Sequence, residues 1–200
     1  MPRTGRRPGN SDTREAILTA ARQAFAERGY DKASIRQIAT SAGVDPALVH
    51  HYFGAKEQLF LAAMEAPIDP ARAIEEVIAG GLDGVGERLV RMFLTVWDSP
   101  AGAPAAALVR SAVSHDWSAR MLREFITSQI LRRVVGGLHL DPKEGPLRAT
   151  LVASQLMGLI MARYIVKVEP IASAPRETLV ANIAPTIQRY LAGPLDGLDQ

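Results

Sequence analysis

A chain of 200 residues that is 48% hydrophobic and 22% charged has enough apolar material for one globular domain or two small ones, which excludes a disordered or collagen-like polymer. It contains no cysteine, so disulfides, thiolate zinc sites and cysteine nucleophiles are excluded. The formal charge is only +2, but residues 1–36 hold eight Lys/Arg against four Asp/Glu, whereas 66–200 hold fourteen of each, so the basic excess sits at the N-terminus.

Apolar residues recur at helical spacing along almost the whole chain, which predicts an all-α fold. Asp12 with Glu15 opens a helix carrying Ile17, Leu18, Ala21, Ala24 and Phe25 and ending at Gly29. Ser34 with Gln37 opens a shorter one that stops at Ser41-Ala42-Gly43. Asp45 caps the next, with Pro46 in its first turn, where the missing N–H costs nothing. That helix runs to Phe53, and a fourth starts near Lys56 and stops before Pro67. After a Pro-Ile-Asp-Pro break, helices are expected at about 70–79, 83–98, 104–115, 117–138, 145–168 and 175–191.

The second and third helices, joined by a tight glycine turn, form a helix-turn-helix over about 34–53. In the third, Val49 and Phe53 lie four apart and pack inward, leaving Pro46, Ala47, His50 and His51 outward. Small and apolar residues suit thymine methyls, and His and Tyr can donate to phosphates or base edges. The same shape is also an ordinary helical hairpin with a solvated histidine pair. His50 and His51 are adjacent, so they cannot form the i, i+4 ligand pair of a zinc helix.

The run Ala24-Phe25-Ala26-Glu27-Arg28-Gly29-Tyr30, then Ser34-Ile-Arg-Gln-Ile-Ala39, Ala42-Gly43-Val44, His51-Tyr52-Phe53 and Lys56-Glu57-Gln58-Leu59-Phe60, closely resembles the N-terminal domain of the TetR (tetracycline-repressor) family. The resemblance implies a homodimeric, all-helical transcriptional regulator, usually a repressor, that binds double-stranded DNA at an inverted repeat and is released by a small apolar or amphipathic effector. By position it implies that Ser34 caps its helix and reaches phosphate, that Arg36 reads a base, and that Pro46, Ala47 and Leu48 form the base-facing start of the recognition helix. It also sets His50 where many members have a phosphate-contacting tyrosine, sets Tyr52 near the backbone and makes Lys56 a phosphate ligand, while His51 is a DNA-binding candidate from its outward place on the helix. Leu48 and His50 depart from the commoner Thr or Ser and Tyr, and Ala55 stands where a Ser or Asn cap is common, which leaves the Lys56 helix without a side-chain cap.

The expected domains are a basic arm over 1–11, the DNA-binding domain over 12–71, a regulatory and dimerisation domain over 72–192 and a tail over 193–200. The arm either enters a minor groove or is a plain unstructured terminus. The C-terminal part resembles that of a subgroup of the same family through Arg110-Ser-Ala-Val113, Leu122-Arg-Glu-Phe125 and the Ala153 to Tyr164 segment.

Helix 145–168 is apolar on nearly every side, which calls for two partners: its own domain and a second subunit. Dimer contacts are expected from Leu156, Gly158, Ile160, Ile183, Ile187 and Tyr190, with burial inside one chain as the alternative. Met92, Phe93, Trp97, Arg110, Trp117, Met121, Phe125 and Gln155 are candidates for a ligand pocket, with plain core packing as the alternative for each. No catalytic constellation, metal site or cofactor motif is expected. The stretch from Ala149 to Ala162 is too short to span a membrane, the N-terminus lacks a signal peptide's apolar run, and a cytoplasmic location is expected. The rival classes are a small-molecule enzyme on a helical scaffold and a DNA-binding factor with no effector.

Overall fold

The computed structural model describes residues 10–66 and 69–195. Most of the expected arm and tail therefore lies outside the described residues, as do Pro67 and Ile68 of the expected break. The described residues are helical with no strand: α1 (Asn10–Lys32), α2 (Ile35–Ala42), α3 (Pro46–Phe53), α4 (Lys56–Ala63), α5 (Pro70–Ile78), α6 (Val85–Trp97), α7 (Gly102–Ser114), α8 (Asp116–Glu124), α9 (Arg132–Gly137), α10 (Gly145–Leu159) and α11 (Arg176–Ala192). A π-helical turn, Phe125–Leu131, joins α8 to α9, and a second, Ile160–Ile165, extends α10. No helix among the described residues is long and apolar enough to cross a membrane.

The helix starts follow local chemistry. The Ser34 hydroxyl accepts from the Gln37 N–H at 3.2 Å while the Gln37 side chain accepts from the Ser34 N–H at 3.1 Å, a reciprocal capping box. The Asp45 carboxylate accepts from the Ala47 N–H at 2.8 Å ahead of α3. Ala55 gives α4 no side-chain cap, as its methyl requires. Gly43 closes α2 with φ 68°, a left-handed conformation that glycine adopts without strain.

Two differences from the expected elements have physical causes. Helix α1 does not end at Gly29: it kinks there, at φ 76° and ψ 167°, and resumes for one more turn to Lys32. The expected single helix over 117–138 is interrupted by a π turn, and the one over 145–168 ends in a π turn at Ile165. Phe125 and Ile130, and Ile126 and Leu131, lie five apart and face one cavity, and that spacing stacks on a π turn rather than on an α-helix.

The apolar side chains form two cores. One holds Ile17, Phe25, Ile38, Val49, Leu59 and Phe60 from α1 to α4, together with Met121 from α8. Phe25 and Tyr30 both meet Phe60 edge to face, at 4.9 and 5.3 Å between ring centroids. The other holds residues of α5, α6 and α7 with α9, α10 and α11. Arg148 fastens α10 to the end of α11 by donating to the carbonyls of Tyr190 and Gly193, both at 2.8 Å.

Candidate nucleic-acid interface and the adjoining cavity

The apolar side of α3 is consumed by folding: Val49 is fully buried and Phe53 nearly so. What remains on the outside is Ala47, Leu48, His50 and His51, with Pro46 and Tyr52 half-buried beside them. Leu48 is 37% exposed, an apolar side chain held in solvent at the first turn of a helix whose inner face is already full. Arg36 is exposed on α2, and Ser34 is half-buried at that helix's start. In the capping box the Ser34 oxygen is an acceptor, so its own hydroxyl proton can go to a phosphate.

The His50 ring is oriented by its Nδ1, which lies 2.8 Å from the Gly54 carbonyl oxygen. A carbonyl only accepts, so Nδ1 carries a proton and the outward Nε2 of a neutral ring is itself an acceptor. Lys56 leans across the Tyr30 ring, its ammonium 4.6 Å from the centroid, and donates to the Asp31 carbonyl at 3.3 Å. Burial draws its pKa below the usual ammonium range, and nearby Asp31 partly opposes that.

Among the helices of the C-terminal part lies an apolar cavity of about 210 Å³ between α5, α6, α7, α10 and the first π turn. Of the pocket candidates, Met92, Phe93, Trp97 and Phe125 line it. The other four stand elsewhere: Arg110 and Gln155 point to solvent, Trp117 is 37% exposed and Met121 is buried in the N-terminal core. The two polar candidates avoid desolvation by facing water, so no buried partner is required for them. Sequence reasoning missed Ile74, Val77, Ile126, Ile130, Val134 and Val152, which carry no signal beyond ordinary core periodicity.

The expected dimer residues also divide. Ile187 is fully buried and Ile160 is 5% exposed, both in the chain's own core, and Leu156 lines the cavity, so these three face inward. Gly158 is exposed, and Ile183 and Tyr190 are half-buried.

The second half of the chain, residues 83–191, matches the model of the tetracyclin repressor-like C-terminal domain, and residues 17–63 match that of the bacterial regulatory proteins of the tetR family. The chain belongs to the TetR family. The HTH-type transcriptional repressor AcnR of Corynebacterium efficiens is 44% identical over 79 residues, 40% of this chain and 40% of that protein. The regulator BetI of Rhizobium meliloti is 39% identical over 72 residues, 36% of this chain and 34% of that one. The chain thus matches well under half the length of these curated relatives. A crystal structure of a TetR-family regulator from Streptomyces coelicolor is 42% identical and covers 94% of this chain and 99% of its own, with a TM-score of 0.46. The TetR-family model of the N-terminal part ends at residue 63, the last residue of α4.

Proposed function

We propose that this TetR-family chain is a homodimeric repressor that binds an inverted-repeat operator through α3 and leaves it when a small apolar or amphipathic effector enters the cavity. The observation that carries the reading is the sorting of α3: with Val49 and Phe53 in the core, its first turn offers Ala47 and Leu48 to thymine methyls, and Arg36 of α2 and the two histidines are exposed as well. The name of the AcnR relative supports repression as the sign. The experiment is selection of bound DNA from a random pool, which should return a site with dyad symmetry and half-sites about 34–36 Å apart or a multiple of that. A selected site without a dyad would remove the dimeric reading.

Arg36 and Lys56 should behave differently on that site. Lys56→Ala should weaken binding to all DNA and lower the salt slope, because a phosphate contact releases counterions wherever it forms. Arg36→Ala should cost about 1–3 kcal/mol on the selected site only, with relaxed preference at one symmetric pair of positions. Equal losses on selected and random DNA for Arg36→Ala would take it out of base reading.

The dimer is proposed to form on α10 and α11. Leu147, Leu151, Gln155, Gly158 and Ala162 follow one another at three- and four-residue spacing, and all keep exposure. Leu147 is 42% exposed, and a side chain added at Gly158 would meet nothing within 4 Å in this chain, which leaves room for a second helix to approach closely. Gly158→Arg should therefore give a folded monomer by sedimentation velocity and lower operator affinity by about 10²–10⁴-fold through lost bivalency. A variant that stays dimeric would move the interface elsewhere.

A further inference from the structure

We propose that the cavity takes an uncharged apolar molecule of one or two rings, and that its filling is passed to the DNA-binding domain through the first π turn and a clasp formed by Glu124, Arg132 and Arg133. The proposal rests on the reading of this cavity as the effector site and names its ligand chemistry and its output.

The ligand class follows from the lining. None of the lining side chains is ionisable, and the indole of Trp97 is the one classical hydrogen-bonding group among them. A charged ligand would give up its hydration there with nothing to replace it. At about 210 Å³ the space exceeds the roughly 150 Å³ of an apolar cavity that stays dry and takes benzene.

The output follows from what shares the cavity wall. Leu108, Leu122 and Phe125 line the cavity and also pack against the N-terminal core, so a molecule that displaces them presses on α1 to α4 directly. On its other side the same stretch of helix grips the DNA-binding domain at three points. The Glu124 carboxylate accepts from the Tyr30 N–H at 2.7 Å, and its oxygens lie 3.2 Å from where a side chain would start at the kinked Gly29. Arg132 donates to both Asp31 carboxylate oxygens, at 3.0 and 2.8 Å, and Arg133 pairs with Glu57 at the start of α4. The Arg132 guanidinium holds the Asp31 carboxyl below its usual range.

This clasp is incompletely paired inside. Gln129 is 2% exposed, and among the described residues neither its Oε1 nor the buried Nε of Arg133 has a hydrogen-bond partner. A rearrangement that gives these two atoms partners would offset part of what is lost when the contacts to Tyr30, Asp31 and Glu57 open. The π turn supplies the movement: exchanging its i→i+5 bonds for i→i+4 bonds shifts the following helix by one residue, about 100° of rotation, and carries Arg132 and Arg133 with it.

The test uses one ring system in three charge states, naphthalene, 1-naphthoate and 1-naphthylmethylammonium, with the full-length protein and its selected operator. Naphthalene should bind at least about tenfold more tightly than either ion, and Ala153→Phe, which fills the cavity from α10, should abolish that binding with the melting temperature preserved. Bound naphthalene should weaken operator affinity by about fivefold or more. The double variant Glu124→Ala with Arg132→Ala should still bind naphthalene but lose that response. Preferential binding of either ion would overturn the ligand class. Naphthalene that leaves operator affinity unchanged, or a clasp variant that responds as the parent does, would overturn the coupling. Failure to bind any inverted repeat would instead strike at the function reading on which both rest.

Discussion

Phe60→Ala is expected to destabilise the protein by about 3–5 kcal/mol, the range for truncating a buried aromatic side chain. Phe60 is fully buried where α4 crosses α1, with Phe25 edge-on at 4.9 Å and Tyr30 at 5.3 Å. Removing its ring takes away the surface on which both others pack, so the cavity left behind is bounded by rigid groups that cannot collapse into it. Against a total stability of roughly 5–15 kcal/mol, that loss unfolds a sizeable fraction of the N-terminal helices near physiological temperature. Urea unfolding followed by far-UV circular dichroism measures it. The same substitution should abolish DNA binding, because α4 also carries Lys56 and Glu57. A loss below about 1 kcal/mol would mean that the aromatic cluster is not the centre of this core.

Ala47→Glu should have the largest effect on DNA affinity with the smallest effect on folding. Ala47 is exposed in the first turn of α3, where an acidic side chain is favoured by the helix dipole, so the melting temperature should be unchanged or slightly higher. At the proposed interface the new carboxylate faces the phosphate-lined groove, where like-charge juxtaposition costs several kcal/mol, and a two-fold dimer suffers it twice. Operator binding in a gel shift should fall by more than about 10³-fold at moderate salt. Binding within about threefold of the parent would place the DNA on another face of the molecule.

How much of this fold is legible in the sequence depends on how local the chemistry is. Ser34 with Gln37, and Asp45 with Pro46, are short-range chemistry, and the helices they announce start where they should. Gly29 is short-range too, but whether a glycine ends a helix or only bends it depends on Glu124, ninety-odd residues later, whose carboxylate takes up the Tyr30 N–H released at the kink. The first π turn escapes periodicity because its five-residue steps, Phe125 to Ile130 and Ile126 to Leu131, share Ile126 and Ile130 with a four-residue step that fits an α-helix.

Residues in the C-terminal half sort less well because its helices are apolar on more than one side. Composition cannot say which side meets the cavity and which the core, and Ile160 and Ile187, which it offers for a dimer contact, are buried within the chain. Met121, a pocket candidate by sequence, instead completes the N-terminal core, since α8 crosses from one core to the other. The Asp31–Arg132 and Glu57–Arg133 pairs join residues far apart in the chain and carry no sequence signal.

The most direct measurement is a hydroxyl-radical footprint on the selected operator, made with the parent protein and with Ala47→Glu. Two protected patches on one face of the duplex, about 34–36 Å apart and with two chains per site, are expected for the parent, and both should vanish together in the variant. A single patch, or protection that survives Ala47→Glu, would contradict a two-fold repressor that reads DNA with α3.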